Sequence, residues 1–428
     1  MKGKFEALNL LGTRRFAAFF WTQALGAFND NLIKNLLVLL VTYDNARFGS
    51  PNAGSVSSLA SAIFTLPFIL FAGLSGQLAD RYPKRSILRA VKLFEVFIMG
   101  IAIFGLVQSD LNLLLLALFL MGVHSTFFSP AKYGVLPELL SIDELAIGNG
   151  LLEAGTFLAI LLGTLIAIAL YSLHSTLLLG SSLLCVAFLG LFSSAWIPKT
   201  PYHQPELKID FNPWTSIRDN FSLTYKHSSV WCGALGISWF WAIGIVILAQ
   251  IPIFVHEVLR ADESVVSTLL GGFTAGIGIG SLVGALWRSD RLSDQVSRIG
   301  LIGLSLGLMS FVFLSSMRSS LEHLVVWLSF SVVTIGFTGG LFVVPLYTCL
   351  NTESPPEYRS RIVSANSVLN FLFMIAASLG TSALLQRGIT VGQLFMLLTV
   401  FNICFTPWYF KYQRRIWSAQ RLSLGIAV

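Results

Sequence analysis

Charge is scarce in this chain. Only 11% of its 428 residues are Asp, Glu, Lys or Arg, while 55% are hydrophobic and the mean hydropathy is +0.75; soluble domains carry about 25% charged residues. Cysteine is scarce too. Cys185, Cys232, Cys349 and Cys404 fall singly in separate apolar segments, with no CxxC pair and no histidine spacing that would bind zinc, so they read as small apolar side chains. There is no HExxH zinc site, no GxxxxGK[ST] phosphate loop and no His followed five residues later by Asp. These absences count against a metalloprotease, a nucleotide-driven pump and a membrane acyltransferase built on that His–Asp motif.

What is abundant is long apolar sequence. Twelve segments can each span about 30 Å of hydrocarbon as a helix: 16–42, 55–79, 87–108, 111–131, 145–171, 174–197, 229–256, 265–287, 298–316, 322–348, 361–386 and 391–411. The chain is therefore expected to be an all-α membrane protein. Its start, "MKGKFEALNLLGTRR", lacks the apolar run and cleavage site of a removable signal peptide, so the first span is expected to stay.

The net charge of +7 does not indicate nucleic acid, because the basic residues are distributed by topology. With a cytoplasmic N-terminus, the even-numbered loops, both termini and the span ends adjoining them hold 23 of the 28 Lys and Arg residues, among them Arg14, Arg15, Arg288, Arg291, Arg414 and Arg415. The other side holds Arg47, Arg260, Arg318 and Arg387, and Lys34 lies within the first span. The bias follows the positive-inside rule and places both termini in the cytoplasm.

A Pro-rich polar stretch, 198–228, divides the chain into an N-terminal six-helix half (1–197) and a C-terminal half (229–428). Within it, Trp214, Ile217, Phe221 and Tyr225 have helical spacing, which predicts an interfacial amphipathic helix from Pro213 to Tyr225. The halves echo each other, as expected of a transporter built from repeats. "NGLLEAGTFLAILLGT" (149–164) and "NSVLNFLFMIAASLGT" (366–381) share the opening Asn and the closing Gly-Thr.

Polar residues inside the spans are the candidate site, since an ionisable group at the bilayer centre costs roughly 2.5–3.5 kcal/mol and is functional by default. In "AFNDNLIKN" (27–35), Gln23, Asp30, Asn31, Lys34 and Asn35 fall within about 140° of one another on a helical wheel, and Asn29 points away as a helix-contact residue. Asp30 and Lys34, four apart in the acid-first order, could also satisfy each other as a structural pair. Asp30 lies roughly 22 Å from the helix start, beyond the midplane, where it would meet a coupling cation or a substrate headgroup. Glu153 and Asn149, Lys132, His124, Gln250, Asn366 and Asn370 complete the expected path. His124 reads either as a proton shuttle or as a packing histidine, Lys132 as a phosphate or gating base or a snorkelling side chain, and Lys92 and Glu95 as a local pair. Trp239, Phe240 and Trp241 read as packing aromatics.

"GQLADRYPKR" (76–85) resembles the GxxxDRxGRR signature of the major facilitator superfamily, matched at Gly76, Asp80, Arg81, Lys84 and Arg85, with Pro83 in place of the second Gly. The resemblance implies a major facilitator fold of two six-helix pseudo-repeats and a cytoplasmic gate at these residues. The equivalent loop, "GALWRSDRLSDQ" (284–295), keeps only Gly284, Asp290 and Arg291. "FFSPAKYGVLPEL" (127–139), "GNGLLEAGTFLAILLGT" (148–164), "AFNDN" (27–31) and "FVVPLY" (342–347) look like stretches of the bacterial lysophospholipid transporter family. That resemblance implies a flippase, a secondary transporter rather than an enzyme, moving lysophospholipids from the outer to the inner leaflet of the bacterial inner membrane. A separate acyltransferase/acyl-carrier-protein synthetase would re-esterify them there; the chain ends soon after its last span and is expected to carry no such enzyme. No cofactor, metal or nucleic acid is expected, a coupling sodium ion or proton is left open, and a monomer is expected. One departure is that the family has a basic residue in the seventh span, where "GIVILAQIP" (244–252) offers only Gln250. A drug or small-solute exporter would share the same fold.

Overall fold

The computed structural model describes residues 9–43, 53–287, 292–317 and 320–423, and among them every regular element is helical. In chain order the main helices are α1 (Arg14–Tyr43), α2 (Ala53–Arg81), α3 (Lys84–Gln108), α4 (Leu111–Leu139), α5 (Ile142–Ser172), α6 (Thr176–Ala195), α7 (Pro213–Lys226), α8 (Ser228–Phe254), which runs on into a π-helical turn (Val255–Leu259), α9 (Glu263–Leu286), α10 (Leu292–Ser315), α11 (Leu321–Glu353), α12 (Arg359–Gln386) and α13 (Val391–Ser423). Eleven of them are long and apolar enough to cross a membrane. The more polar α1, at 30 residues, brings the number of long helices to twelve, leaving α7 as the short helix of the polar stretch.

Helix ends follow local chemistry. Asp110 caps α4 by accepting the N–H groups of Asn112 (2.8 Å) and Leu113 (3.4 Å), and Ser109 before it takes the left-handed conformation that ends α3. Pro83, with φ −56°, starts α3 where a backbone donor is not needed. Outward faces carry Phe97, Phe104, Phe192, Phe313, Phe330 and Phe401, each more than half exposed. Such faces suit lipid rather than water.

The chain forms two compact units that do not coincide with its sequence halves. Unit 1 comprises Met1–Ile142, Leu158–Leu223 and Pro355–Val368; unit 2 comprises Asp143–Phe157, Thr224–Ser354 and Leu369–Val428. In unit 1 the core lies between α1, α3, α4 and α6, where Leu32, Leu36, Ile98, Met99, Leu118, Met121 and Leu183 are almost fully buried. In unit 2, α9 and α11 approach until a Cβ on Gly280 would overlap the Phe337 carbonyl oxygen, and one on Gly336 that of Phe273. Small residues permit this backbone contact, on which helix association in lipid relies. Phe254, Phe311 and Phe395 close one end of unit 2, with ring centroids 4.9–5.8 Å apart.

Candidate functional site

Unit 1 contains a buried polar cluster around Glu95. On α3, Lys92 Nζ lies 2.6 Å from Glu95 Oε2; the (i, i+3) spacing puts both on one face of the helix. His124 of α4 reaches the same oxygen at 3.2 Å, and Asn29 of α1 donates to Oε1 at 2.8 Å and to the Leu183 carbonyl of α6 at 3.4 Å. Lys92 and Glu95 are fully buried and His124 nearly so. The Lys92 ammonium reaches this place because Gly26 has no side chain: a Cβ there would sit 2.7 Å from Nζ. His124 stacks on Phe128 at 5.8 Å, over which Lys92 also lies at 5.6 Å.

Asp30 lies beside this cluster and within the field of His124, Glu95 and Lys92. Its Oδ2 accepts the Ser125 hydroxyl at 2.9 Å, whereas its buried Oδ1 has no hydrogen-bond partner among the described residues. Lys34 feels the Asp30 charge, but no ion pair joins the two, so the stripe is not a self-satisfied Asp30–Lys34 bridge. Asn31 donates back to the Ala27 carbonyl at 2.8 Å, and Asn35 to the Asn31 carbonyl (2.7 Å) and to Thr164 of α5 (3.0 Å). Gln23 is buried on the same helix. In the sequence Asn29 reads as a helix contact and Lys92–Glu95 as a local pair, with nothing local to connect the three. The available signal was a charged (i, i+3) pair in an otherwise apolar span, within reach of an asparagine and a histidine in neighbouring spans.

The "GQLADRYPKR" run forms a second constellation in unit 1. Gly76 lets α2 meet the start of α12, where a Cβ would lie 2.8–2.9 Å from Ser364 and Arg361. Asp80 Oδ1 accepts the Ser360 N–H at 2.8 Å, and Oδ2 accepts from the Arg361 N–H (3.2 Å) and Nε (3.1 Å). Arg361 also donates to Gln204 of the polar stretch at 2.8 Å, and the Gln204 N–H returns to the Asp80 carbonyl at 3.1 Å. Lys84, fully buried, pairs with Glu138 at 2.6 Å, which is also 2.8 Å from His203. Gly134 leaves room for the Lys84 chain beside Ser360. Arg85 binds Thr200 through its N–H at 3.0 Å, and Arg81 lies over the Tyr82 ring. Ser129 and Ser367 hydroxyls are 3.0 Å apart. Lys132 is buried with its ammonium 4.9 Å from the centre of the Tyr133 ring, and Asn366 is buried in α12. Asp290 and Arg291 of the degenerate second loop lie outside the described residues.

In unit 2, Asn149 of α5 accepts from Asn351 of α11 at 3.0 Å and donates to Thr348 at 3.4 Å. Glu153 is buried one turn on. Asn370 accepts the Ser238 hydroxyl at 2.7 Å. Trp239 stacks on Phe405 at 4.2 Å and donates to Asn402 at 2.8 Å, and Trp241 donates to the Tyr347 hydroxyl at 3.0 Å. Gln250 lines a cleft between α8 and α12. The run Gly303–Gly307 has the spelling GxSxG, yet it lies inside α10, and Ser305 donates to the Leu301 carbonyl at 3.3 Å. A nucleophile elbow requires an exposed strand-to-helix turn. No group of His, Cys, Asp and Glu suited to a metal is present among the described residues.

Comparison with known proteins agrees with this architecture. The family model of the Major Facilitator Superfamily matches residues 19–381. The chain is 29% identical over 349 residues to "Lysophospholipid transporter LplT" of Shigella dysenteriae, covering 79% of this chain and 81% of that protein. It is 28% identical over 346 residues to the protein of the same name from Klebsiella pneumoniae, again covering 79% and 81%. Among solved structures, the human organic anion transporter MFSD10 superposes with a TM-score of 0.74 at 13% identity, over 92% of this chain and 99% of that one. A bacterial homologue of the iron transporter ferroportin superposes with a TM-score of 0.68 at 17% identity, with the same coverage. At these identities the two structures speak to the fold alone.

Proposed function

This chain belongs to the Major Facilitator Superfamily, and from that premise we propose that it transports lysophospholipids across the bacterial inner membrane, from the outer to the inner leaflet. It is a secondary transporter, not an enzyme. The observation that supports the substrate class is the likeness to proteins named lysophospholipid transporters over about four-fifths of both chains. The buried carboxylate of Asp30, with one oxygen unfilled, supports a polar step along the path, since a buried polar atom without a partner is a ligand-seeking group. It would receive a cationic headgroup or a coupling sodium ion or proton. The positive-inside bias supports cytoplasmic termini. Release would then deliver the lipid to a separate acyltransferase/acyl-carrier-protein synthetase, and the carrier works as a monomer with no cofactor.

Alternating access requires contacts at the ends of the helices to form and break. The Asp80–Ser360–Arg361 set supports that role on the cytoplasmic side. Labelled lysophosphatidylethanolamine in proteoliposomes provides the test. The wild-type chain should carry it between leaflets, and Asp30→Asn, inserted at normal levels, should lose at least tenfold in rate. A wild-type protein inert towards lysophospholipids would remove this reading; unchanged transport by Asp30→Asn would remove Asp30 from the path.

A further inference from the structure

The cleft in unit 2 has a composition unlike the rest of the polar interior. It is a cavity of about 310 Å³ between α8 and α12, and no charged side chain lines it. Its polar side consists of Gln250, Ser378, Thr381, Ser382 and Gln386, facing aliphatic α8 residues such as Ile245. That volume lies at the small end of ligand sites, suiting one polar group and a short stretch of chain.

Two buried members are left open for a ligand. Gln250 is 6% exposed, and its amide makes no hydrogen bond to any described residue; its Oε1 is fully enclosed. Thr381 is 8% exposed. Threonines elsewhere in these helices return their hydroxyl to a carbonyl one turn earlier: Thr156 to Leu152, Thr164 to Ile160, Thr274 to Leu270 and Thr348 to Val344. Thr381 makes no such bond among the described residues. An amide and a hydroxyl held in an uncharged pocket call for a group that donates and accepts at once. A hydroxyl satisfies either end of the amide, so the requirement holds whichever way the amide is turned. A phosphate or an ammonium would find no countercharge there.

We propose that this cleft binds the free glycerol hydroxyl of a monoacyl phospholipid, with Gln250 and Thr381 as its partners, and so distinguishes monoacyl from diacyl lipid whatever the headgroup. The inference rests on the lysophospholipid reading above. In a diacyl lipid the hydroxyl is replaced by an ester, which accepts but cannot donate, and one polar group of the pocket stays unpaired. Sites built to hydrogen-bond a hydroxyl reject analogues that lack it far more strongly than apolar pockets reject a missing methylene.

The test uses the full chain in nanodiscs with 1-oleoyl lysophosphatidylethanolamine, 1-oleoyl lysophosphatidylglycerol and the 2-deoxy analogue of each. For the wild-type protein, removing the hydroxyl should weaken Kd about 10- to 100-fold for both headgroups. Gln250→Leu and Thr381→Val, with unchanged melting temperatures, should bind the hydroxyl lipids correspondingly less well and be nearly indifferent to its removal. The proposal is overturned if the wild-type protein binds deoxy and hydroxyl lipids alike, or if both variants keep wild-type discrimination. It is also overturned if the loss in the variants depends on the headgroup. If the wild-type protein binds none of the four lipids, the lysophospholipid reading fails and takes this inference with it.

Discussion

Asp80 Oδ1 accepts the backbone N–H of Ser360 at 2.8 Å, across 280 residues of sequence. Ser360 and Arg361 are among the first residues of α12, whose leading N–H groups have no partner within the helix. The carboxylate of α2 therefore caps a helix it does not belong to, aided by the positive end of that helix and by the Arg361 guanidinium at 3.1 Å.

Replacing that charge while keeping its shape should loosen the start of α12. Asp80→Asn turns an acceptor-only group into one that presents an NH₂ to N–H donors. The cap should weaken by about 1–3 kcal/mol, shifting an attached–detached equilibrium roughly 5- to 150-fold. Hydrogen exchange at residues 359–364 should accelerate accordingly, with Asp80→Glu intermediate. Unaltered exchange there would mean that Asp80 does not hold the start of α12.

The Lys92–Glu95 pair should behave as a unit. Both groups are fully buried 2.6 Å apart, so removing one leaves the other charge without its main partner. Lys92→Met should destabilise the protein by about 3–5 kcal/mol, whereas Lys92→Met with Glu95→Gln should recover most of that loss. Thermal unfolding of the single and double variants in one detergent measures the coupling. Additive effects would show that Asn29 and His124, not Lys92, hold Glu95.

The legible part of this molecule is the part with a period or a motif. Apolar runs long enough to span a bilayer gave the helices, because in lipid the backbone must satisfy itself. The Gly76–Arg85 motif located Asp80 within a gate, though nothing local named Ser360 as its partner. Lys92 and Glu95 were visible as neighbours. Their joining with Asn29 and His124 was not, because it depends on which faces of α1, α3 and α4 meet. Asn31 and Asn35 illustrate the reverse limit: both lie on the polar stripe, yet their amides are used on backbone carbonyls and Thr164. A wheel gives direction, not occupancy.

Unit 2 should be sensitive to single methyl groups where α9 crosses α11. A Cβ on Gly280 would overlap the Phe337 carbonyl and one on Gly336 that of Phe273, backbone atoms that cannot turn aside. Gly280→Ala and Gly336→Ala should each cost at least about 1–3 kcal/mol. Gly271→Ala, with nothing within 4 Å of the new methyl, should stay within roughly 0.5 kcal/mol of wild type. Melting temperatures of the three variants side by side test the crossing; equal losses would indicate that the backbones separate at little expense.

Acid should unravel the start of α7. The Thr215 hydroxyl and the Asn212 N–H, the latter at 2.9 Å, both donate to Asp210 and hold its carboxyl below its ordinary value of 3.8. Asn212 in turn accepts the Trp214 N–H at 3.0 Å, with Pro213 at the first helical position. A carboxyl with a depressed value binds its proton more tightly in the unfolded segment. Its contribution is therefore complete above the ordinary range and is lost as pH falls through the lower, folded value. Amide protection over residues 214–216 should be flat from about pH 7 to pH 5, once intrinsic exchange is corrected, and should fall below about pH 4. Asp210→Asn should be less protected at neutral pH and should lack the acid transition. If the variant kept that transition, the proton would be binding somewhere other than Asp210.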